Sequence, residues 1–202
     1  MRRLLLFVGG PAAFFVALYG VVAFLEHRRE IRHAVRSLPV ALEILQLANV
    51  DESDVVYDLE CGDGTLSVIA AQQYRARVVC VENIPRRVDL IAGRIRVEAL
   101  QARITVLHAD WRTIDLSPAS VVVLFSPMQW HRSLRGQLTR QLRPGARIVS
   151  SLRNLGAWGP NRIVQPTDPE DGRPVPLFLW VADGTFRPQS GAELPHASIP
   201  RR

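Results

Sequence analysis

The sequence predicts an α/β domain, an open and mostly parallel Rossmann-like sheet with helices on its faces, preceded by one membrane-spanning helix. Three observations carry this. Val55-Val56-Tyr57-Asp58-Leu59 is apolar except for Asp58 and runs into Glu60-Cys61-Gly62-Asp63-Gly64-Thr65, the pattern of a buried strand, a glycine-bearing turn and a helix start. Arg77 to Glu82 is a second strand-like run closing in an acid. That acid lies about twenty residues after the glycines, where a nucleotide-binding sheet sets the carboxylate for a ribose diol. Leu4 to Leu25 contains no charge and is long enough to cross the hydrocarbon core of a bilayer.

The N-terminal segment follows Arg2-Arg3 and precedes Glu26-His27-Arg28-Arg29-Glu30-Ile31-Arg32. Two readings fit it. A signal peptide has the same basic start, but the apolar run is long for one and no small-x-small cleavage site precedes Glu26, so the reading adopted is an uncleaved signal anchor. Arg28, Arg29, Arg32 and Arg36 outnumber the arginines before the span. The positive-inside rule then expects a single-pass protein of the inner, cytoplasmic membrane with its domain in the cytoplasm. The expected organisation is an anchor over 1–25, a juxtamembrane linker over 26–37, the α/β domain over 38–183 and a disordered tail over 184–202. The linker reads either as a solvated stretch or as a binder of anionic headgroups.

The 202 residues carry a net charge of +6 and are 48% hydrophobic. Without the anchor about 170 residues remain, enough for one domain with a sizeable core. All the basic side chains are arginine, with no lysine, which reads as compositional bias. The arginines are scattered and not interleaved with aromatics, so no nucleic acid partner is expected. Cys61 and Cys80 are the two cysteines; they read as reduced thiols, and neither suits a metal site.

Leu38 to Leu47 has helical apolar spacing, and Asp51-Glu52-Ser53-Asp54 is the polar turn after it. Thr65 is placed to cap the helix after the glycines. Asn83-Ile84-Pro85 opens an amphipathic helix to about Gln101, with Pro85 in its first turn. Arg86, Arg87, Arg94 and Arg96 mark the outer face of that helix. Ile104–His108 is a third strand and Val121–Phe125 a fourth, wholly apolar and therefore central. After Ser126-Pro127-Met128-Gln129-Trp130-His131 a helix runs to Leu142, and Arg143 to Ser151 is a turn plus a fifth strand. Pro176 to Ala182 suits one strand of a closing antiparallel hairpin.

A nicotinamide site would require Gly-x-Gly-x-x-Gly, which does not occur in the chain. The layout instead resembles the class I S-adenosylmethionine-dependent methyltransferases. Their first motif, Asp-x-Gly-x-Gly-x-Gly, stands here as Asp58-Leu59-Glu60-Cys61-Gly62-Asp63-Gly64, with Glu60 in place of the first glycine. From Val50 to Ala182 the chain is similar to bacterial relatives of the membrane-anchored mitochondrial protein-lysine methyltransferases. The likeness rests on Val55 to Leu59, Asp115-Leu116-Ser117, Leu142 to Ser150, Gly156-x-Trp158 and Leu179-Trp180-Val181. It departs at Ala34-Val35-Arg36-Ser37, where the family has aromatic-x-Pro-Ser/Thr, and at Ser126 to His131, where it has Leu-Leu-Pro and a later Asn.

The resemblance implies a seven-stranded methyltransferase sheet, S-adenosylmethionine as cofactor, no metal, and a protein or small-molecule methyl acceptor such as a protein amine. It implies that Asp58, Glu60, Gly62, Asp63 and Gly64 line the methionine end of the cofactor, with Glu82 and Asn83 at its ribose. Asp110 would accept from the adenine amino group and Trp111 would cover the ring, unless Trp111 is a packing residue. Ser126, Gln129 or His131 would position the acceptor, with His131 either its base or a plain surface helix histidine. Glu60 admits two outcomes. A left-handed turn there would cost on the order of 1–3 kcal/mol, and its carboxylate would face that of the cofactor. The alternative to an enzyme is therefore a membrane-tethered binding partner that keeps the fold with weakened catalysis.

Overall fold

A computed structural model of the 202-residue chain describes residues 37–125, 131–151, 155, 158–169 and 172–183. Five strands lie parallel, β1 (Val55–Leu59), β2 (Arg77–Glu82), β3 (Ile104–His108), β4 (Val121–Leu124) and β5 (Arg147–Ser151). A hairpin of β6 (Arg162–Val164) and β7 (Leu177–Val181) closes the edge, β7 running antiparallel to β5. Among the described residues the sheet has seven strands in the order β3-β2-β1-β4-β5-β7-β6. The order reverses beside β1, which has β2 on one side and β4 on the other. In such sheets the crevice beyond the strand ends at this switch point receives ligands.

Four helices cover the sheet in the described residues: α1 (Leu38–Leu47), α2 (Thr65–Gln73), α3 (Pro85–Val97) and α4 (His131–Gln141). Alternate residues of β1 feed two cores. Val56 belongs with Ile44, Leu45, Leu66, Ile69, Ile91 and Ile95 from α1, α2 and α3. Tyr57 and Leu59 belong with Leu116, Leu134, Leu138, Trp158 and Trp180. Burying one such aliphatic side chain contributes about 1.5–3 kcal/mol, so a parallel sheet covered on both faces is stabilised mainly here.

The helix expected to reach Gln101 stops at Val97. Ala99 turns left-handed with φ 54, and Leu100 N–H donates back to Ile95 O at 3.0 Å while Ala99 N–H donates to Arg96 O at 3.2 Å. This paired closure ends a helix whatever the apolar spacing beyond it. Strand β6 had no sequence signal, being three residues long with Arg162 and Ile163 exposed. Cys61 and Cys80, read as reduced thiols, are instead joined in a disulfide. The turn after β1 folds over β2 and brings their Cα atoms to 5.5 Å, inside the range a disulfide spans.

The chain divides into one unit up to Val35 and another from Arg36 onward. The expected anchor at 4–25 and the tail from 184 lie outside the described residues. Among the described residues no helix is long and apolar enough to cross a membrane.

At the amino edge of the sheet, buried Asp54 pins three strands. Ser120 Oγ donates to Asp54 Oδ1 at 2.7 Å and accepts from Val55 N–H at 2.9 Å. Arg147, at the start of β5, donates through Nη1 to Ala48 O and Asn49 O at 2.8 and 2.9 Å, and pairs through Nη2 with Asp54. Removing one partner strands the other in a site that is largely closed to water. Arg147→Met is therefore expected to lower unfolding free energy by about 3 kcal/mol. Urea denaturation reads this as a lower midpoint at unchanged slope; a midpoint shift below a third of that size would show the pair to be a surface one.

Candidate functional site

The turn after β1 repeats a left-handed backbone at alternate residues: Glu60 φ 58, Gly62 φ 64 and Gly64 φ 77. The strain expected at Glu60 is therefore present, at about 1–2 kcal/mol for a side-chain-bearing residue, and glycine carries none of it. Gly64 is demanded twice, because a Cβ there would also meet Ile91 Cγ2 of α3 at 3.2 Å. Gly64 N–H donates to Cys61 O at 2.9 Å and Cys61 N–H to Val81 O at 3.1 Å, so the turn leans on β2.

Thr65 does not cap α2 as expected. The capping carboxylate is that of exposed Asp63, which accepts from Thr65 N–H at 3.0 Å and from Thr65 Oγ1 at 2.8 Å. Two residues upstream, an Asx-type turn does the same work from the other side of the glycine. Asp58 is fully buried between Cys80 and Val123 in register and accepts from Ser67 Oγ of α2 at 2.8 Å. It ties the strand before the turn to the helix after it.

Glu82 closes β2 at 1% exposure. Its Oε2 accepts from Gly62 N–H at 3.1 Å, and its Oε1 accepts from Asn83 N–H and Ile84 N–H, both at 3.0 Å. Arg87 Nη1 stands 3.6 Å from Oε2. The acid that the sequence set aside for a ribose thus also organises the turn, while Asn83 itself is exposed. Asp110 follows β3 and caps a 3-10 turn at Trp111–Thr113. Arg112 grips both of its oxygens, through Nε at 2.9 Å and through Nη2, and holds this carboxyl below the usual carboxylate range. Trp111 is 5% exposed within the second core; its burial favours the packing role over an exposed cover.

His131 is the first residue of α4, and Ser126 and Gln129 lie outside the described residues. The structure thus gathers Asp58, Glu60, Gly62, Asp63, Gly64 and Glu82 on one turn and the adjoining strand end, with Asp110 and Trp111 beyond the next strand. Two residues read as plain surface arginines belong to the site as well. Arg94 reaches from α3 to donate to Thr65 Oγ1 at 3.0 Å and to Asp63 O at 3.3 Å, held by Glu98 at 2.9 Å. Arg87 faces Glu82. The Arg94-Glu98 spacing is a sequence signal for an i, i+4 pair, but nothing along the chain marks the reach to the turn.

The site can receive a polar ligand. The glycines keep Cβ atoms off the turn, and the buried Ser151 Oγ has no hydrogen-bond partner among the described residues. Ser151 stands at the carboxyl edge, at the end of β5. Among the described residues no cluster of His, Cys, Asp or Glu could hold a metal ion.

Residues 58–162 match the family described as the ANTKMT methyltransferase domain. A protein-lysine N-methyltransferase of Saccharolobus islandicus (strain REY15A) is 28% identical over 141 residues, covering 69% of this chain and 88% of that protein. An RNA methyltransferase of Salinibacter ruber, solved with S-adenosyl-L-homocysteine, superposes with a TM-score of 0.67 at 32% identity. That match covers 73% of this chain and 93% of the other. A precorrin-6y C5,15-methyltransferase of Geobacter metallireducens shares the fold at a TM-score of 0.58 and 16% identity, over 72% of this chain and 88% of its own.

The turn geometry predicts opposite effects at two neighbouring positions. Glu60→Gly removes the left-handed cost but adds glycine's chain entropy, for a net gain of about 0.5–1 kcal/mol. Gly64→Ala is expected to destabilise by about 1–2 kcal/mol, because left-handed strain adds to the contact with Ile91. Equilibrium unfolding of both variants should move their midpoints in opposite directions; movement in the same direction would refute the turn assignment. For Asp110 the sign runs toward acid. A lowered carboxyl stabilises the fold above the ordinary range and loses that contribution only as pH falls through its own lowered value. Carbon-13 titration of Asp110 should give a midpoint below about 3.9 that moves up toward that value in Arg112→Ala, which loses the guanidinium but keeps the main-chain N–H bond at 112.

Proposed function

Because the chain belongs to the ANTKMT methyltransferase domain family, a class of S-adenosylmethionine-dependent enzymes, we propose that its methyl acceptor is a protein amine, a lysine side chain, at or near a membrane. The observation that carries the acceptor is the relative from Saccharolobus islandicus, a protein-lysine N-methyltransferase aligned over 88% of its length. The membrane half of the proposal rests on the uncharged run from Leu4 to Leu25. The arginines that follow it support a domain on the cytoplasmic side.

The residues present fit the cofactor. A turn free of Cβ atoms at Gly62 and Gly64, a buried acid at the end of β2 and an ionised Asp110 after β3 offer separate partners along an extended nucleoside. S-adenosylmethionine supplies a methyl group already activated by its sulfonium. What remains for the chain is to bind, to orient and to keep water out. Gly62 and Gly64 let the main chain approach the methionine end, with Asp58 holding the strand behind them. Glu82 keeps a carboxylate at the ribose while its bond to Gly62 N–H fixes the turn.

A lysine side chain near neutral pH is an ammonium, with an ordinary pKa of about 10.4, and has no lone pair for transfer. His131, the first residue of α4 beyond the end of β4, takes that proton in this proposal, and Ser126 orients the acceptor. The alternative of a weakened, partner-binding domain rests on Glu60. The observation against it is that Glu60 takes the left-handed backbone a glycine would take, so the turn is kept intact.

The test uses the full-length chain in detergent, incubated with membranes and S-adenosylmethionine carrying a labelled methyl group. Label should enter protein, and mass spectrometry should find it on lysine Nζ. His131→Ala should lower kcat by about 100-fold, with the KM for the cofactor unchanged. Label recovered only in RNA would overturn the acceptor. Tight cofactor binding with no label in any fraction would favour the binding-partner reading.

A further inference from the structure

Cys61 lies inside the cofactor turn, between Glu60 and Gly62, and Cys80 lies two residues before Glu82 in β2. Their disulfide joins the two segments that the site depends on. Two weaker links run beside it, Cys61 N–H to Val81 O and Gly62 N–H to Glu82 Oε2, each at 3.1 Å. The turn these links hold is one its own sequence resists, since Glu60 carries a side chain at φ 58. Resting on the cofactor-site reading above, we propose that the Cys61–Cys80 disulfide is a positioning tie of the cofactor turn, so that its reduction weakens binding of the S-adenosyl cofactor.

The chemistry is an ordinary exchange with a dithiol reductant. A reductant thiolate attacks the Sγ of Cys61, whose residue is 4% exposed against 0% for Cys80. Cys80 leaves as a thiolate and takes up a proton. The second reductant thiol then displaces Cys61, giving two protein thiols and one reductant disulfide, a two-electron change in all. With the tie gone, fewer links hold the turn against the strain at Glu60. In the dithiol form the turn can leave the left-handed arrangement at Glu60 that aims Gly62 and Gly64 at the crevice.

The test measures S-adenosyl-L-homocysteine binding by calorimetry on the full-length chain, disulfide-bonded and reduced, with thiols counted by alkylation. Binding by the oxidised form is expected to be about tenfold tighter. A Cys61→Ala/Cys80→Val variant should match the reduced form whether or not a reductant is present. In a Glu60→Gly background the oxidised-to-reduced ratio should fall toward one, a coupling that a merely stabilising disulfide would not show. Linkage adds an independent check, since a tenfold affinity ratio requires saturating ligand to shift the midpoint of the disulfide couple by about 30 mV toward the oxidised form. Equal affinity in both states overturns the proposal. So does a reduced form and a cysteine-free variant that are both unfolded, for the disulfide would then support the whole fold. If the folded oxidised chain binds no S-adenosyl-L-homocysteine, the cofactor-site reading itself fails.

Discussion

The site depends on a backbone that turns left-handed three times in five residues, at Glu60, Gly62 and Gly64. Such a turn is not stable by local preference when one of the three bears a side chain. It must be held from outside, and β2 holds it with a main-chain bond from Cys61, a carboxylate bond from Glu82 and the disulfide to Cys80. The pairing of β1 with β2 therefore does more than build the sheet: it sets the shape of the crevice. From the other side Arg94 and Asp63 brace the entry to α2, and a Cβ at Gly64 would crowd Ile91 Cγ2 at 3.2 Å.

Buried acids serve the two edges of the sheet differently. At the amino edge Asp54 meets Arg147 and Ser120, and its charge is answered completely within the fold. At the carboxyl edge Glu82 is answered mostly by main-chain N–H groups of the turn and of the segment entering α3, with Arg87 at a longer distance. Three main-chain donors hold the Glu82 carboxylate, with the Arg87 guanidinium 3.6 Å from Oε2 beside them. The first arrangement secures the amino edge, and the second ties the end of β2 to the glycine turn and to the segment entering α3.

Much of this was legible along the chain. Strand β1, the turn, β2 with its terminal acid and the parallel order of the sheet follow from apolar runs and glycine spacing, and those runs are long because both faces are covered. The strain at Glu60 was legible too, since the position of a glycine in a repeating motif states the backbone that its replacement must adopt. What escaped was decided in three dimensions. The three residues of β6 are too few to show alternation. The end of α3 was set by a closure through Ala99 that competes with helical spacing. Cys61 and Cys80 are far apart in sequence, and only the fold of the turn over β2 brings them to bonding distance.

The arginines make the same point from the side of composition. A chain with no lysine reads as biased, and bias alone would leave its cations on the surface. Yet Arg147 serves two carbonyls and a carboxylate at once, Arg94 a carboxylate, a hydroxyl and a carbonyl, and Arg112 both oxygens of Asp110. Each of these uses the planar fork of a guanidinium, which an ammonium on a flexible stem does not reproduce. Whatever put arginine at these positions, the fold now relies on its geometry. A lysine at 147 would keep the charge beside Asp54 but could not also span the carbonyls of Ala48 and Asn49 in the same fixed plane.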